Sequence, residues 1–120
     1  MEFTPKRMIN ILICLDVDGT IETGQPNGPV TIKKLEDLEA EGCIIVIVSP
    51  SPNIPRRKNG VWRFPIFADK SRAENLQDAV AYLHKQGLDP IFKIYVSDNG
   101  DWHEAEKAKF IYCDAKMFMI

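Results

Sequence analysis

Ile11-Leu12-Ile13-Cys14-Leu15-Asp16-Val17-Asp18-Gly19-Thr20 is the stretch whose reading decides the fold. Five apolar residues run into two carboxylates that flank one valine, followed by glycine and a hydroxyl. An apolar run of this length, closed by acids and glycine, reads as a strand buried on both faces. Side chains two apart on an extended strand point the same way, so Asp16 and Asp18 are expected to leave the sheet's carboxyl edge together. Close carboxylates repel and resist desolvation, so the pair implies a bound cation or a shared proton. Gly19 lets the chain turn sharply just beyond them.

Outward from this strand, residues 21–29 form a polar connector with Gly24, Gly28 and two prolines, a loop by composition. Thr31 is placed to cap a helix whose apolar positions are Ile32, Leu35 and Leu38, ended by Gly42. Residues 43–48 read as a second buried strand that finishes in Ser49. The segment 50–60 is a proline-rich loop carrying Arg56, Arg57 and Lys58. Residues 61–67 look extended, but Pro65 removes a ladder donor and demotes them to an edge strand.

Ser71 and Glu74 have capping-box spacing and open a helix over 72–86. That helix turns Ala73, Leu76, Ala79, Val80 and Leu83 inward and stops at Gly87. A strand over 91–97 then runs into Asp98-Asn99-Gly100-Asp101. A short helix over 102–109, a last strand over 110–113 and the apolar tail Met117-Phe118-Met119-Ile120 complete the chain. Strands and helices alternate throughout, which predicts an α/β fold. It is a three-layer α/β/α arrangement with a mostly parallel five-stranded sheet, in one domain over residues 1–120.

At 120 residues the chain has material for one core, and no more than one. Its formal net charge of −2 argues against nucleic-acid or membrane binding driven by overall charge. A local basic patch, and so a weak nucleic-acid reading, stays open. No apolar run approaches the ~20 residues that span a bilayer, and residues 1–10 lack the apolar core of a secretory signal. Cys14, Cys43 and Cys113 are odd in number and sit in apolar runs. They read as reduced, buried thiols, which points to the cytoplasm.

In parallel α/β sheets, ligands bind beyond the carboxyl ends of the strands. The sequence puts Asp16/Asp18, Ser49, Lys70 and Asp98/Asp101 there. A phosphate monoester needs a nucleophile, a cation for its oxygens, donors to hold them and an acid for the leaving group. These residue types supply each. Carboxylates and carbonyls suit Mg²⁺, which is usually held by one or two carboxylates with waters and substrate oxygens. Ser49 offers a hydrogen bond to a phosphoryl oxygen, and Lys70 a compact positive charge.

Asp16-Val17-Asp18-Gly19-Thr20, Ser49, Lys70 just before a helix, and the Asp98/Asp101 segment together resemble the four motifs of the haloacid dehalogenase superfamily, phosphohydrolase branch. The order and strand-end placement agree over nearly the whole chain. The resemblance implies a Rossmann-like domain and a Mg²⁺-dependent phosphatase. Asp16 would attack phosphorus and become an aspartyl phosphate, and its other oxygen would bind the metal. The backbone carbonyl of Asp18 and the carboxylate of Asp98 would join it there, with Asp101 reaching the metal through water. Asp18 would protonate the leaving oxygen, while Ser49 and Lys70 hold the phosphoryl group and Thr20 assists near the turn.

The spacing departs from the family at one place. Asp98 and Asp101 are three apart where four or five is common, and Ser97 stands where glycine or an acid is more usual. Neither insertion point has room for a substantial cap domain. Capless members of the family present open sites that take macromolecular ends or borrow a lid from a neighbouring subunit. The substrate is then a phosphorylated small molecule or macromolecular end. Arg56, Arg57, Lys58 and Arg63 would rim the pocket. The C-terminal apolar tail would complete the core or join copies of the chain in a homo-oligomer. Trp62 reads as packing, His84 and His103 as surface residues.

Three other readings compete with this one. A calcium loop beginning at Asp16 needs glycine sixth and glutamate twelfth, where the chain has Ile21 and Asn27. A signalling receiver domain would take its phosphoryl group on an Asp at the third strand. A phosphate-ligand binding or regulatory protein would keep the fold without turnover.

Overall fold

The computed structural model describes residues 11–49 and 64–120. Arg56, Arg57, Lys58, Trp62 and Arg63 lie outside them. Five strands, β1 (Ile11–Leu15), β2 (Ile44–Ser49), β3 (Ile66–Ala68), β4 (Phe92–Ser97) and β5 (Ile111–Asp114), form one sheet in the order β3-β2-β1-β4-β5. Every pairing is parallel, where a mostly parallel sheet was expected. Four helices connect and flank the strands: α1 (Ile32–Ala40), α2 (Arg72–Lys85), α3 (Trp102–Lys107) and the short α4 (Ala115–Phe118).

The alternation in β1 splits the core in two. Ile13 and Leu15 face one side, where they meet Ile45, Ile47, Leu35 of α1 and Ala115 of α4. Leu12 and Cys14 face the other, against Val46, Tyr95, Leu76, Ala79 and Leu83 of α2 and Ala105 of α3. Helices therefore cover both faces, as a central strand apolar on both sides demands. The described residues build no further domain. None of their helices is long and apolar enough to cross a membrane.

Local chemistry explains the element ends. The Thr31 hydroxyl accepts a hydrogen bond from Lys34 N–H at 3.1 Å at the start of α1. The Ser71/Glu74 capping box is formed in both directions at the start of α2. β3 begins after Pro65 rather than running through it, because proline has no N–H to give. Its carbonyl still accepts from Ile47 N–H at 2.8 Å, and the strand lies at the sheet edge as expected. The C-terminal tail divides: Phe118 and Met119 pack against the core beneath α1, whereas Met117 and Ile120 are 64% and 94% exposed.

The strand order also separates two of the rivals. The chain moves from β1 outward to β2 and β3, then crosses back to β4 beside β1. That reversal makes the β1/β4 crevice the switch point, the usual ligand site of an open parallel sheet. A receiver has the order 2-1-3-4-5 with its third strand central. Here the third strand is at the edge, so the receiver reading falls.

Candidate functional site

Asp16 sits just past β1 at this switch point. Its N–H donates to the Val96 carbonyl of β4 at 3.0 Å, which seats it against the neighbouring strand. Its carboxylate is only 5% exposed, and Oδ1 accepts from the Val17 N–H at 2.8 Å. Among the described residues the other oxygen has no hydrogen-bond donor. Burial, opposed by the Val17 N–H and the Arg72 charge and aided by Asp101 and Asp98, raises this carboxyl from 3.8 to about 6. A buried acid with acidic neighbours calls for a cation.

The structure brings Asp98 to the same place. An added Cβ on Gly19 would lie 2.1 Å from Asp98 Oδ2, so the carboxylate rests directly on the turn after Asp16. Gly19 also has φ +76°, a conformation that glycine adopts without steric cost. Only a residue with no side chain lets the two loops meet this closely.

Asp18 behaves differently from the sequence expectation. Thr20 N–H and Ile21 N–H both donate to the Val17 carbonyl, at 3.0 and 2.9 Å. The chain is thus already turning at Val17, and the strand's alternation does not reach Asp18. Its side chain is exposed and Oδ1 accepts from the Gln25 N–H at 3.0 Å. Thr20 is placed beneath the turn, fully buried under Gly28, with its hydroxyl unpartnered among the described residues. It is not presented to the crevice.

The largest difference concerns the cation. Lys70 turns away, donating to Asp78 Oδ2 at 2.8 Å with its side chain 54% exposed. Arg72, two residues on in the first turn of α2, lies beside Asp16 instead. Its Nε is 3.1 Å from Asp101 Oδ2, and its charge holds down the Asp16 carboxyl. The α2 cap fixes this choice: Ser71 ends the extended chain and sends Arg72 back over the sheet's carboxyl edge.

Asp101 precedes α3 but makes no side-chain cap to it. Its Oδ2 accepts from Ser97 Oγ at 3.1 Å and pairs with Arg72. Ser97 Oγ also meets Tyr112 Oη at 3.0 Å, and Tyr112 Oη accepts from Gly100 N–H at 3.0 Å. β4 and β5 therefore pin the loop that carries Asp98 and Asp101. At the other end of the crevice Ser49 is buried at the tip of β2. The buried Asn75 of α2 donates to the carbonyls of Ser49 and Lys70, each at 3.1 Å.

Tyr95 contributes a fully buried hydroxyl near Arg72, with no well-aligned hydrogen bond among the described residues. Burial, then the charges of Asp16 and Asp101, push its pKa up, so it stays protonated. Asn75, Ser97, Tyr95 and Tyr112 carry no role in the sequence reading, and Arg72 stands there only as the fallback cation behind Lys70. Asn75 had a signal, standing four residues before Ala79 on the inward face of α2. Tyr112 had none, since its partner lies on another strand.

Among the described residues no three His, Cys, Asp or Glu side chains are gathered as a metal cage. The carboxylates that are brought together, Asp16 and Asp98, are hard oxygen donors of the kind that suit a cation keeping several waters. Mg²⁺ is such a cation, and the raised Asp16 carboxyl fits its presence.

The fold and this crevice define a parallel α/β protein with its charged groups at the carboxyl edge of the switch point. No protein-family model, curated protein or solved structure matched the chain.

Proposed function

We propose that this chain is a Mg²⁺-dependent phosphomonoester hydrolase of the haloacid dehalogenase type, working through Asp16. The observation that carries the reading is the buried Asp16 carboxylate at the β1/β4 switch point, flanked by Arg72 and Asp98. Asp16, Asp98 and the Asp18 carbonyl would hold the metal, which supplies positive charge to the phosphoryl oxygens.

The residues divide the work as follows. Val17 N–H holds one Asp16 oxygen, so the other is aimed at phosphorus. A bond forms between that oxygen and phosphorus while the ester P–O bond breaks. The departing oxygen takes a proton from Asp18, whose exposed carboxyl stands on the solvent side. Water then attacks the aspartyl phosphate, gives its proton to Asp18, and releases inorganic phosphate with Asp16 restored. Arg72 clamps the transferring group, a task its planar fork suits, and Ser49 donates a hydrogen bond to it.

Asp101 and Tyr95 keep Arg72 in place. Asp101 acts here in positioning rather than as the water-mediated metal partner that the resemblance implies, because its Oδ2 is engaged by Ser97 and Arg72. Phosphate-ligand binding without turnover is the second reading, and it draws on the Lys70–Asp78 pair, which removes one expected cation from the crevice.

Hydrolysis of p-nitrophenyl phosphate decides between them. Turnover should require Mg²⁺ and fall by about 10³-fold or more in Asp16→Asn. Turnover retained in that variant excludes the aspartyl-phosphate route. A wild-type protein inert toward phosphomonoesters, yet binding them, establishes the second reading.

A further inference from the structure

At the amino edge of the sheet, opposite the Asp16 crevice, a groove of about 340 Å³ opens between α2 and α3. Its walls carry Lys93, Lys107, Lys109 and His84 over an apolar floor that includes Val80 and Ala108. Lysines that follow a helix, such as Lys107 and Lys109, have an ordinary explanation in the helix dipole. Lys93 has not. It lies on β4 in register with Leu12 and two residues before Tyr95, so it occupies an inward position on the face that buries both. At this position β4 is paired with β1 alone, because the β5 ladder begins one residue later at Ile94, so the Lys93 side chain stands at the open amino end of the strand and reaches the groove.

The Lys93 ammonium stands 5.6 Å from the centre of the Phe110 ring. Among the described residues neither Lys93 nor Lys109 has a carboxylate partner. Lys107 is 3.7 Å from Glu104, a loose pair, and His84 is 3.4 Å from Asp89. In a chain of net charge −2, three lysines around one groove form a concentrated positive site.

We propose that this groove binds a small molecule bearing a di- or triphosphate and an apolar or aromatic body. Ammonium groups act as compact point charges that suit clustered phosphate oxygens, whereas a planar carboxylate is better matched by arginine. The floor of Val80 and Ala108 gives the body an apolar surface. The volume falls at the lower end of small-molecule sites, so part of the ligand stands in solvent. No residue of the Asp16 crevice lines the groove, and the proposal does not depend on the hydrolase reading.

The test is an NMR titration of the wild-type protein with ADP in EDTA, which also silences metal-dependent turnover. Saturable shifts should appear at the amides of residues 93 and 107–109. Pyrophosphate should move the same amides, and adenosine alone should not saturate them below about 10 mM. Lys93→Met should weaken ADP by about tenfold, and Lys107→Gln by less because Glu104 already shares its charge. The amide spectrum of each variant reports whether the fold persists. Shifts confined to residues 16–19 and 98 overturn the groove while leaving the hydrolase reading standing. So do affinities unchanged in both variants, adenosine binding as tightly as ADP, or binding of an oligonucleotide but not ADP.

Discussion

The face of the sheet under α1 and α4 buries more branched aliphatic side chains than the face under α2 and α3, and the two differ in what else they hold. Ile13, Leu15, Ile45, Ile47 and Leu35 meet on the first with no buried charge among them. The second adds the fully buried Tyr95 hydroxyl, has Lys93 at its amino edge, and continues past β1 into Asp16, Arg72 and Asp101. Polar groups in a core cost stability unless they are satisfied, so a fold that confines them to one face keeps the other for cohesion. On this view the α1 face supplies cohesion while the α2 face positions the charged groups of the crevice.

Equal cavities on the two faces give the strongest test of that division. Leu35 and Leu76 are both fully buried, and truncation to alanine should cost each about 2–5 kcal/mol in urea unfolding. Catalysis should respond unequally. Leu76 lies one turn after Arg72 on α2 and supports its placement, so Leu76→Ala should lower kcat on p-nitrophenyl phosphate by about tenfold. Leu35→Ala, assayed where the protein is still folded, should leave kcat within about twofold. Equal losses of activity would break the comparison.

Asp16 shows what the α2 face gives up. Its carboxyl is raised from 3.8 to about 6 in the folded chain, so the folded state binds this proton more tightly than the unfolded state. Stability from this group is therefore greatest at low pH, falls as pH rises from about 4 to about 6, and stays reduced above that. The deficit is roughly 3 kcal/mol. Asp16→Asn keeps the acceptor for Val17 N–H and removes the charge. It should raise the melting temperature at pH 7.5 by several degrees and change it little at pH 3.5. Added Mg²⁺ should stabilise the wild type more than the variant. An Asp16→Asn protein less stable than wild type at pH 7.5 would show that the carboxylate is compensated within the fold.

Much of this was legible in the sequence because the signals were local. β1 announces itself by five apolar residues before two acids, and the α2 capping box by Ser71 and Glu74. A mostly parallel sheet follows from the alternation of strands and helices, and the structure makes every pairing parallel. The candidate site was readable as far as its backbone positions, since Asp16, Ser49, Lys70 and Asp98 all lie at or just beyond strand ends. What could not be read was side-chain direction. Which of Lys70 and Arg72 faces Asp16 is set by the α2 cap at Ser71, which carries Arg72 over the sheet edge, together with Asp78, one helical turn beyond Glu74, which holds Lys70 outward. The expectation of Asp18 beside Asp16 extends the alternation three residues past the end of β1 at Leu15, and the turn held by the Val17 carbonyl interrupts it.

The choice of cation gives the next test in size. Arg72→Met should lower kcat/KM by about 10²-fold, because the transferring phosphoryl group loses its clamp and Asp101 loses its partner. Lys70→Met should cost no more than about threefold, the ion pair with Asp78 being exposed and screened. The reverse ranking would mean that Lys70 leaves Asp78 when substrate binds. The division between faces would survive that result, since Lys70 also precedes α2.

The smallest effect concerns the loop rather than the face. Tyr112 on β5 ties Ser97 and Gly100 through one hydroxyl, which donates to the Ser97 carbonyl at 3.0 Å and accepts from Gly100 N–H at 3.0 Å. Tyr112→Phe keeps the ring, which packs edge-on against Tyr95 with centroids 6.2 Å apart, and deletes these bonds together with the 3.0 Å contact to Ser97 Oγ. A cost of about 1 kcal/mol is expected in unfolding. The more telling readout is the metal titration. With Asp98 less firmly held over Gly19, the Mg²⁺ concentration for half-maximal activity should rise several-fold while kcat at saturating metal stays near wild type. A drop in kcat with an unchanged metal requirement would instead place the influence of Tyr112 on the Asp101–Arg72 pair, through the shared Ser97 hydroxyl, and would make the loop part of the phosphoryl clamp rather than of the metal site.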